Sequence, residues 1–550
     1  MNKLKTNISA FCAALAGFAL TACSQSFLDV ESVTESTTDN FYKTENDAWR
    51  ALLGCYDGWR QTSSSPGVGF YCVSTVMSDE TYGATGNGDG RGWQAIDRFD
   101  ITQSPSDLNL YEQDWKMYYA AVYRCNELVA HEGQIAWSND SKRGTYMGEC
   151  RGIRATLYFD MVRMWGNIPL FLEPVNENRP QAHPDSVYKA IFADLKYAAA
   201  NIPSDAYPKA SAASNDGHFT KFAAEGLLAR AYLYYTGYYG KEPEWCTKQE
   251  ALEACEDVIA NSGCSLVPEF KNLWAASSLV PMADGSKGWD PILSTYAGEA
   301  NSEVIFQMKF TPSQDYNGNN DSNRWQVMVG MRSLNASPYG KGWGGCTVCP
   351  SYVAKYEAGD ARLTASVIDM VKEGITENSG WAASYKDQRE YTGYTIKKYS
   401  PLCFADGTTA TKEDGTGDFQ TTNPQNFVIL RLADVMLMAC ELGSTNATAY
   451  MHEIRSRAGV ADVEVTKENI MKERALELAF EGIRYWDLLR QGIDVAAQTI
   501  AASSGACYSG GQPDYVSISA DKVKATQGLI QIPQNQITLS NGTLTQNPGW

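Results

Sequence analysis

Histidine is scarce in this chain, with only four residues among 550, at positions 131, 183, 218 and 452. They lie far apart in sequence and form no ligand pattern for a histidine-based metal centre. Neither a G-x-S-x-G elbow nor an H-E-x-x-H pair occurs, so two common hydrolase signatures are missing. Positive charge is also in deficit: 46 Lys and Arg face 64 Asp and Glu, for a net charge of −18. That balance argues against a nucleic-acid partner, because phosphates are neutralised by Lys and Arg. No apolar run reaches the roughly 18 residues a bilayer span needs. Only Cys346 and Cys349, of 14 cysteines, have C-x-x-C spacing. No second pair stands nearby to complete four zinc ligands. Cys125, Cys150, Cys255 and Cys440 fall in helical patterns, where cysteine acts as a small buried apolar residue. Any disulfides formed outside the cytoplasm have a connectivity that spacing does not define.

What is present begins with a targeting segment. Lys3 and Lys5 precede an apolar run from Ile8 to Leu20, and then come Leu20-Thr21-Ala22-Cys23 and Ser24. Small residues before a cysteine, directly after an apolar run, resemble a bacterial lipoprotein signal. The expectation is removal of residues 1–22, diacylation of Cys23 and a polar tether over 23–40. The first 22 residues hold two lysines and no acids, so the mature charge becomes −20. Aromatic residues are plentiful, with 14 Trp and 31 Tyr.

A chain this long exceeds one ordinary core and splits into domains or winds into a solenoid. Apolar residues recur at helical spacing over 44–60, 111–130, 146–165, 186–200, 219–239 and 248–261. The third of these predicted helices stops at Trp165-Gly166-Asn167-Ile168-Pro169, where Gly166 can turn left-handed and Pro169 blocks resumption. Ala223, Ala224, Ala229 and Ala231 leave room for a close partner helix. Consecutive helices with more than one apolar side bury them by stacking on neighbours. From about 265 to 425 helical periodicity fades into Gly, Asn, Asp, Ser and Trp, with strand-like runs at 303–310 and 394–399. Helices are expected again at 427–442, 448–457 and 468–491. The chain reads as one unit over 41–550, with helical parts at 41–264 and 426–550 flanking a loop-rich ligand-binding insertion at 265–425.

Several stretches together resemble the SusD/RagB family of outer-membrane nutrient-binding lipoproteins. They are FLDV (27–30), RGIRATLYFDMVRMWGNIPLF (151–171), VYKAIFADLKYAAANIP (187–203), KFAAEGLLARAYLYYTGYYG (221–240), NSEVIFQMKF (301–310) and YEAGDARL (356–363). The C-terminal stretches are the most specific: NFVILRLADVMLMACE (426–441), IRSRAGV (454–460), ERALELAFEGIRYWDLLR (473–490) and QNPGW (546–550). Asp434 stands where the family often has Glu, and Trp550 where it often has Tyr. The resemblance implies a mostly α fold, in which four tetratricopeptide-like helix pairs form a right-handed superhelix packed with an irregular, loop-rich half. It also implies a cell-surface, lipid-anchored protein that lids a TonB-dependent outer-membrane transporter of the SusC type. Such a protein binds oligosaccharide or polysaccharide, or in some members peptide, without catalysis.

The segment KERALELAFEGIRYWDLLR (472–490) tests that implication. Glu473, Glu477 and Glu481 recur every four residues and would share one face of a helix. Like charges so spaced repel unless cations are supplied, and Arg431, Arg455 and Arg457 are candidates. The competing reading is a glycoside hydrolase, which needs two carboxyls about 5–10 Å apart across an open cleft.

Sugars present apolar C–H faces that a flat ring can cover, and hydroxyls that Arg, Asn, Asp or Gln can fix. Loops on a rigid scaffold suit that task. The candidate platforms are Trp93 and Trp325, with Asp79, Arg91 and Arg324 as polar partners; Trp289 and Tyr296 are further candidates in the insertion. Trp343, within Gly342-Trp343-Gly344, reads as a turn anchor. The Gly-rich run 86–92 reads as a mobile surface loop. Asp315–Asp321 resembles a calcium loop but lacks Gly at the sixth position and has Gln326 where a Glu ligand belongs.

Overall fold

The computed structural model describes residues 41–63, 69–100, 107–207, 217–278, 295–298, 301–312, 321–377, 380–412 and 416–550. The leader, the tether with Cys23, Trp289 and positions 315–320 of the calcium-like loop lie outside the described residues.

Helix α1 (Glu45–Gln61) opens on a reciprocal cap in which the Thr44 hydroxyl accepts from the Asp47 amide and the Thr44 amide donates to the Asp47 carboxylate. Helix α2 (Gly69–Val76), strand β1 (Thr81–Ala84) and helix α3 (Gly92–Asp97) follow. The long helices are α4 (Glu112–His131), α5 (Asp140–Trp165), α6 (Pro184–Asn201), α7 (Lys221–Tyr239) and α8 (Lys248–Asn261). Packing runs in sequence order from α1 to α4, then α5, α6, α7 and α8. Glycine sets how close the steps come. A Cβ on Gly148 would lie 2.5 Å from the Ile202 side chain, and one on Gly152 would lie 2.2 Å from the Phe219 ring. Helix α5 ends where expected, on Gly166 at φ +67°.

The second half interleaves strands and helices: β2 (Val304–Met308), α9 (Arg324–Val329), β3 (Gly345–Val348), β4 (Val367–Asp369), β5 (Tyr394–Ile396) and β6 (Phe427–Arg431). Helices α10 (Leu432–Leu442), α11 (Ala447–Ala458), α12 (Lys467–Glu477) and α13 (Arg484–Leu489) come next. Helix α10 packs on α8 and α11 packs on α10, so the ladder begun in the first half is completed from beyond residue 430. The pairs are α1/α4, α5/α6, α7/α8 and α10/α11. A four-stranded antiparallel sheet in the order β1-β3-β5-β4 joins the two halves, with Thr81 opposite Val348 and Thr395 opposite both Thr347 and Ile368. One continuous apolar core runs from Tyr42 to Leu544, and each fully buried Leu, Ile or Phe contributes about 1.5–3 kcal/mol.

Two expected helices differ. Residues 427–431 form a strand, β6, antiparallel to β2, with Phe427 opposite Met308. Phe, Val, Ile and Leu in a row suit a buried strand as well as a helix, and the partner strand decides. The expected helix at 468–491 is broken: α12 ends at Glu477, Phe480 and Gly482 take positive φ (62° and 75°), and α13 starts at Arg484.

The acids of this broken segment are buried among cations. Arg431 reaches Glu303 at 2.6 Å, Glu477 at 2.7 Å and Glu481 at 2.8 Å. Arg457 bridges Glu303 and Glu477 at 2.5 Å each. Arg455 meets Glu473 at 2.5 Å, and Lys398 meets Glu481 at 2.7 Å. Arg362 pairs with Asp360 at 2.7 Å and with Glu473. The three arginines expected from sequence are present, and Arg362, Lys398 and Glu303 join them. The arginines around it, Arg457 first, hold the Glu477 carboxyl far below its usual range despite burial. Removing one partner of a buried network strands its opposite charges, at about 3–5 kcal/mol. Arg431→Ala is therefore expected to lower the unfolding free energy by that amount in urea titration, and a loss under 1 kcal/mol would show the network to be dispensable.

Candidate functional site

The loop-rich half builds a half-exposed patch of rings and cations. Trp93 lies on α3, with its indole against β3. A Cβ on Gly345 would lie 2.6 Å from the Trp93 Cζ3 atom, so only glycine leaves room for the ring. Two residues earlier, Trp343 projects from a turn pinned from below. The Trp343 amide donates to the Val327 carbonyl at 2.8 Å, and the Gly344 amide donates to the Gly330 carbonyl at 2.9 Å. The Arg324 guanidinium lies over the Trp343 ring at 4.4 Å, and its Nη1 donates to the Gln420 carbonyl at 3.2 Å. Nearby in sequence, the Lys341 ammonium stands over the Phe419 ring at 4.6 Å. Trp93, Arg324, Lys341, Trp343 and Phe419 are all half-buried, with Arg91 exposed at the start of α3. Cation-backed rings of this kind offer flat apolar faces beside hydrogen-bond donors.

The Gly-rich run beside the patch is fastened, contrary to the expectation of a mobile loop. Arg389 donates to the carbonyls of Asn87 at 2.7 Å, Asp89 at 2.6 Å and Gly90 at 3.1 Å, and to the Gln94 side chain at 3.1 Å. Arg332 ties Asp89 (3.2 Å) to Asp387 (2.8 Å). Burial, followed by the like charge of Arg91, lowers the Arg389 pKa.

Two expected contact residues are elsewhere. Asp79 is 1% exposed and accepts two hydrogen bonds from Arg484, at 2.7 and 2.9 Å, with Lys355 at 3.4 Å. Its carboxylate is committed to the frame, and the Arg484 charge keeps it ionised against the cost of burial. Trp325 is 1% exposed and packs within 6.2 Å of Tyr71, so no ring face is free for a ligand. The side-chain oxygen of Asn323 accepts from the Trp325 amide and starts α9, which turns Arg324 outward and Trp325 inward. Tyr296 is half-buried on a short segment held by the Ala297 amide donating to the Asn272 carbonyl at 2.9 Å. Asp321, at the end of the calcium-like loop, is paired with Arg60 at 2.5 Å. Phe419 and Lys341 went unnoticed in the sequence, where nothing separates them from ordinary loop residues.

A carboxylate pair does occur beneath the patch. Burial pushes the pKa of both Asp97 and Glu390 up; the Glu390 charge raises Asp97 further, and Asp514 raises Glu390. Both are closed off: Asp97 accepts from the Gly83 amide, Glu390 accepts from the Ala84 amide, and Arg98 pairs with Glu390. At 0% and 1% exposure they face no cleft that a glycosidic bond could enter. A separate cleft of about 690 Å³ lies on the helical side, lined by Tyr119, Tyr123, Phe171, Arg179 and Leu539 among others. Its charged side chains are paired within the protein, Arg179 with Glu173 and Glu177, and Arg124 with Asp57.

Two family models match this chain: one described as the SusD family over residues 302–550, and one described as starch-binding associating with outer membrane over residues 73–233. Residues 302–550 belong to the SusD family. A SusD-like protein of Formosa agariphila is 23% identical over 535 residues, covering 89% of this chain and 92% of the relative. A SusD-like protein of Bacteroides ovatus is 25% identical over 502 residues, covering 85% and 79%. Among solved structures, a laminarin binding SusD-like protein superposes with a TM-score of 0.70 at 25% identity, covering 92% of this chain and all of that one. Surface glycan-binding protein A from Bacteroides thetaiotaomicron, in complex with laminarihexaose, gives 0.72 at 22% identity over the same shares. The helix ladder is thus the tetratricopeptide-like fold of SusD proteins. The two structural relatives are named for laminarin or glycan binding.

Hydrogen bonds from a charged donor contribute about 1.5–3 kcal/mol each. Arg389→Ala is expected to raise hydrogen-exchange rates of the amides at 86–92 by at least about tenfold, while rates in α5 stay unchanged. Unchanged exchange at 86–92 would show that the loop is held some other way.

Proposed function

We propose that this protein captures oligosaccharide or polysaccharide at the cell surface and passes it, uncut, to a TonB-dependent outer-membrane transporter of the SusC type. The observation that carries the reading is the Trp343–Arg324 stack two residues from Gly345, against which the half-buried Trp93 ring packs. Family membership supports it, as do two structural relatives named for laminarin and laminarihexaose. At 25% and 22% identity these relatives suggest glycan as the ligand class and leave the particular sugar open. A peptide ligand is the alternative within the family.

Residues 1–22 act as the leader, the acylated Cys23 anchors the chain in the outer membrane, and 23–40 tether the folded unit at 41–550. The sequence Leu20-Thr21-Ala22-Cys23 supports this arrangement. Trp93, Trp343, Arg324 and Arg91 are assigned to the ligand, and Phe419 and Lys341 border it. Asp79 and Trp325 belong to the frame.

On immobilised laminarin and a panel of other glycans, the Trp93→Ala/Trp343→Ala double variant is expected to lose retention by about a hundredfold or more, roughly 2.8 kcal/mol. Trp325→Ala should instead lower stability, by about 3–5 kcal/mol. Tyr123→Ala in the helical cleft is the control. Binding lost through Tyr123 and kept by the double variant would move the site to that cleft, and new reducing ends released by the wild-type protein would overturn the non-catalytic reading. For the anchor, Cys23→Ala is expected to shift the protein from the detergent-extracted membrane fraction to the soluble one. A variant that stays in the membrane would refute lipidation at Cys23.

A further inference from the structure

Three cysteines converge between the first three long helices. Cys55 on α1, Cys125 on α4 and Cys150 on α5 are each 0% exposed, and their sulfurs all lie within 4.8 Å of one another. A buried cysteine ordinarily serves as a small apolar residue. Here three different helices deliver one sulfur each to a common point, and all three are free thiols. The Cys55 and Cys150 sulfurs are 4.0 Å apart. Three sulfurs placed about 2.3 Å from a central ion stand about 4.0 Å apart, the Cys55–Cys150 spacing, and Cys125 lies within 4.8 Å of both.

The surroundings narrow the ion. Among the described residues no fourth His, Cys or carboxylate completes the group, so a tetrahedral zinc site lacks a donor. All-sulfur donors select soft ions, copper(I) foremost. Arg154, one helical turn beyond Cys150, is held by Asp194 at 2.8 Å and donates to Asn126 at 2.7 Å. Its positive charge acts on both Cys125 and Cys150. Tyr42, held at φ +56°, lies beside Cys55 and Cys150 and stacks on His131 at 4.4 Å.

We propose that Cys55, Cys125 and Cys150 form a binding site for a soft univalent metal ion, copper(I), independent of the ligand patch. Two thiols release their protons to solvent and bind as thiolates, and the third binds as a neutral thiol. Copper stays in the +1 state throughout. One negative charge results, with Arg154 beside it.

The test is anaerobic titration of the mature acylated protein in detergent with copper(I), against the competing chelator bathocuproine disulfonate. Native mass spectrometry is expected to show one retained copper, with a thiolate-to-copper band in the near ultraviolet. Cys125→Ser should lose both signals, and Cys72→Ser, a buried cysteine outside the cluster, should keep them. Circular dichroism verifies folding; if Cys125→Ser unfolds, Cys55→Ser and Cys150→Ala serve the same purpose. Wild-type protein that retains no copper, or a folded cluster variant that retains it, overturns the site. So does a mass two hydrogens low with only one of the three thiols open to alkylation after denaturation, which would identify a Cys55–Cys150 disulfide.

Discussion

Five carboxylates and five cations buried together hold the segments of the second half of this protein to one another. Asp360, Glu303, Glu473, Glu477 and Glu481 are matched by Arg362, Lys398, Arg431, Arg455 and Arg457. Taking so many charges out of water is unfavourable, and apolar residues of the same size could give equal or greater stability. What the network adds is exclusivity. Each guanidinium has a fixed fork of donors that only correctly placed carboxylates satisfy. The partners come from separate segments at 303, 360–362, 398, 431, 455–457 and 473–481, so no segment can shift without leaving a charge unmatched. The helix break at 478–483 belongs to the same device. It lets the Glu477 carbonyl accept from Arg431 at 2.7 Å and from Lys398 at 3.1 Å, which a continuous helix would have occupied.

The ligand patch depends on this frame at one remove. Strand β3 carries Gly345 and follows directly on Trp343, and β1 pairs with β3. Two residues past the end of the inner strand β5, Lys398 enters the charge network. At the far end of β1, Glu80 is fully buried and accepts from the Phe480 amide at 2.8 Å; burial raises its pKa to about 8. The rings that face solvent are thus two or three residues from groups that cannot move.

The ladder was legible because its signal is periodic. Apolar spacing and the Gly166 stop each act within a few residues, and α1, α4, α5, α6, α7 and α8 lie close to where those signals put them. Segments whose state depends on a distant partner were harder. Phe427–Arg431 is a strand because β2 lies beside it, and 472–490 breaks because buried cations draw on its backbone. The site followed the same division. Trp93 and Arg324 were visible as a ring and a cation in loops. Trp325, one residue on, differs from Arg324 only in which way the first turn of α9 faces, and that is set by Asn323. Asp79 looked like a free loop acid because its partner, Arg484, is 405 residues away. Phe419 and Lys341 meet only in three dimensions.

Arg389 grips the 86–92 loop by main-chain oxygens, and every residue type supplies one of those. Apart from Asp89, tied to Arg332, and Gly86, where a Cβ would meet Arg332, the side chains along that rim are released from structural duty. Sequence can drift at those positions with the scaffold left as it is. A lineage facing a new polysaccharide could retune its preference along this edge in single steps, each intermediate remaining a folded protein.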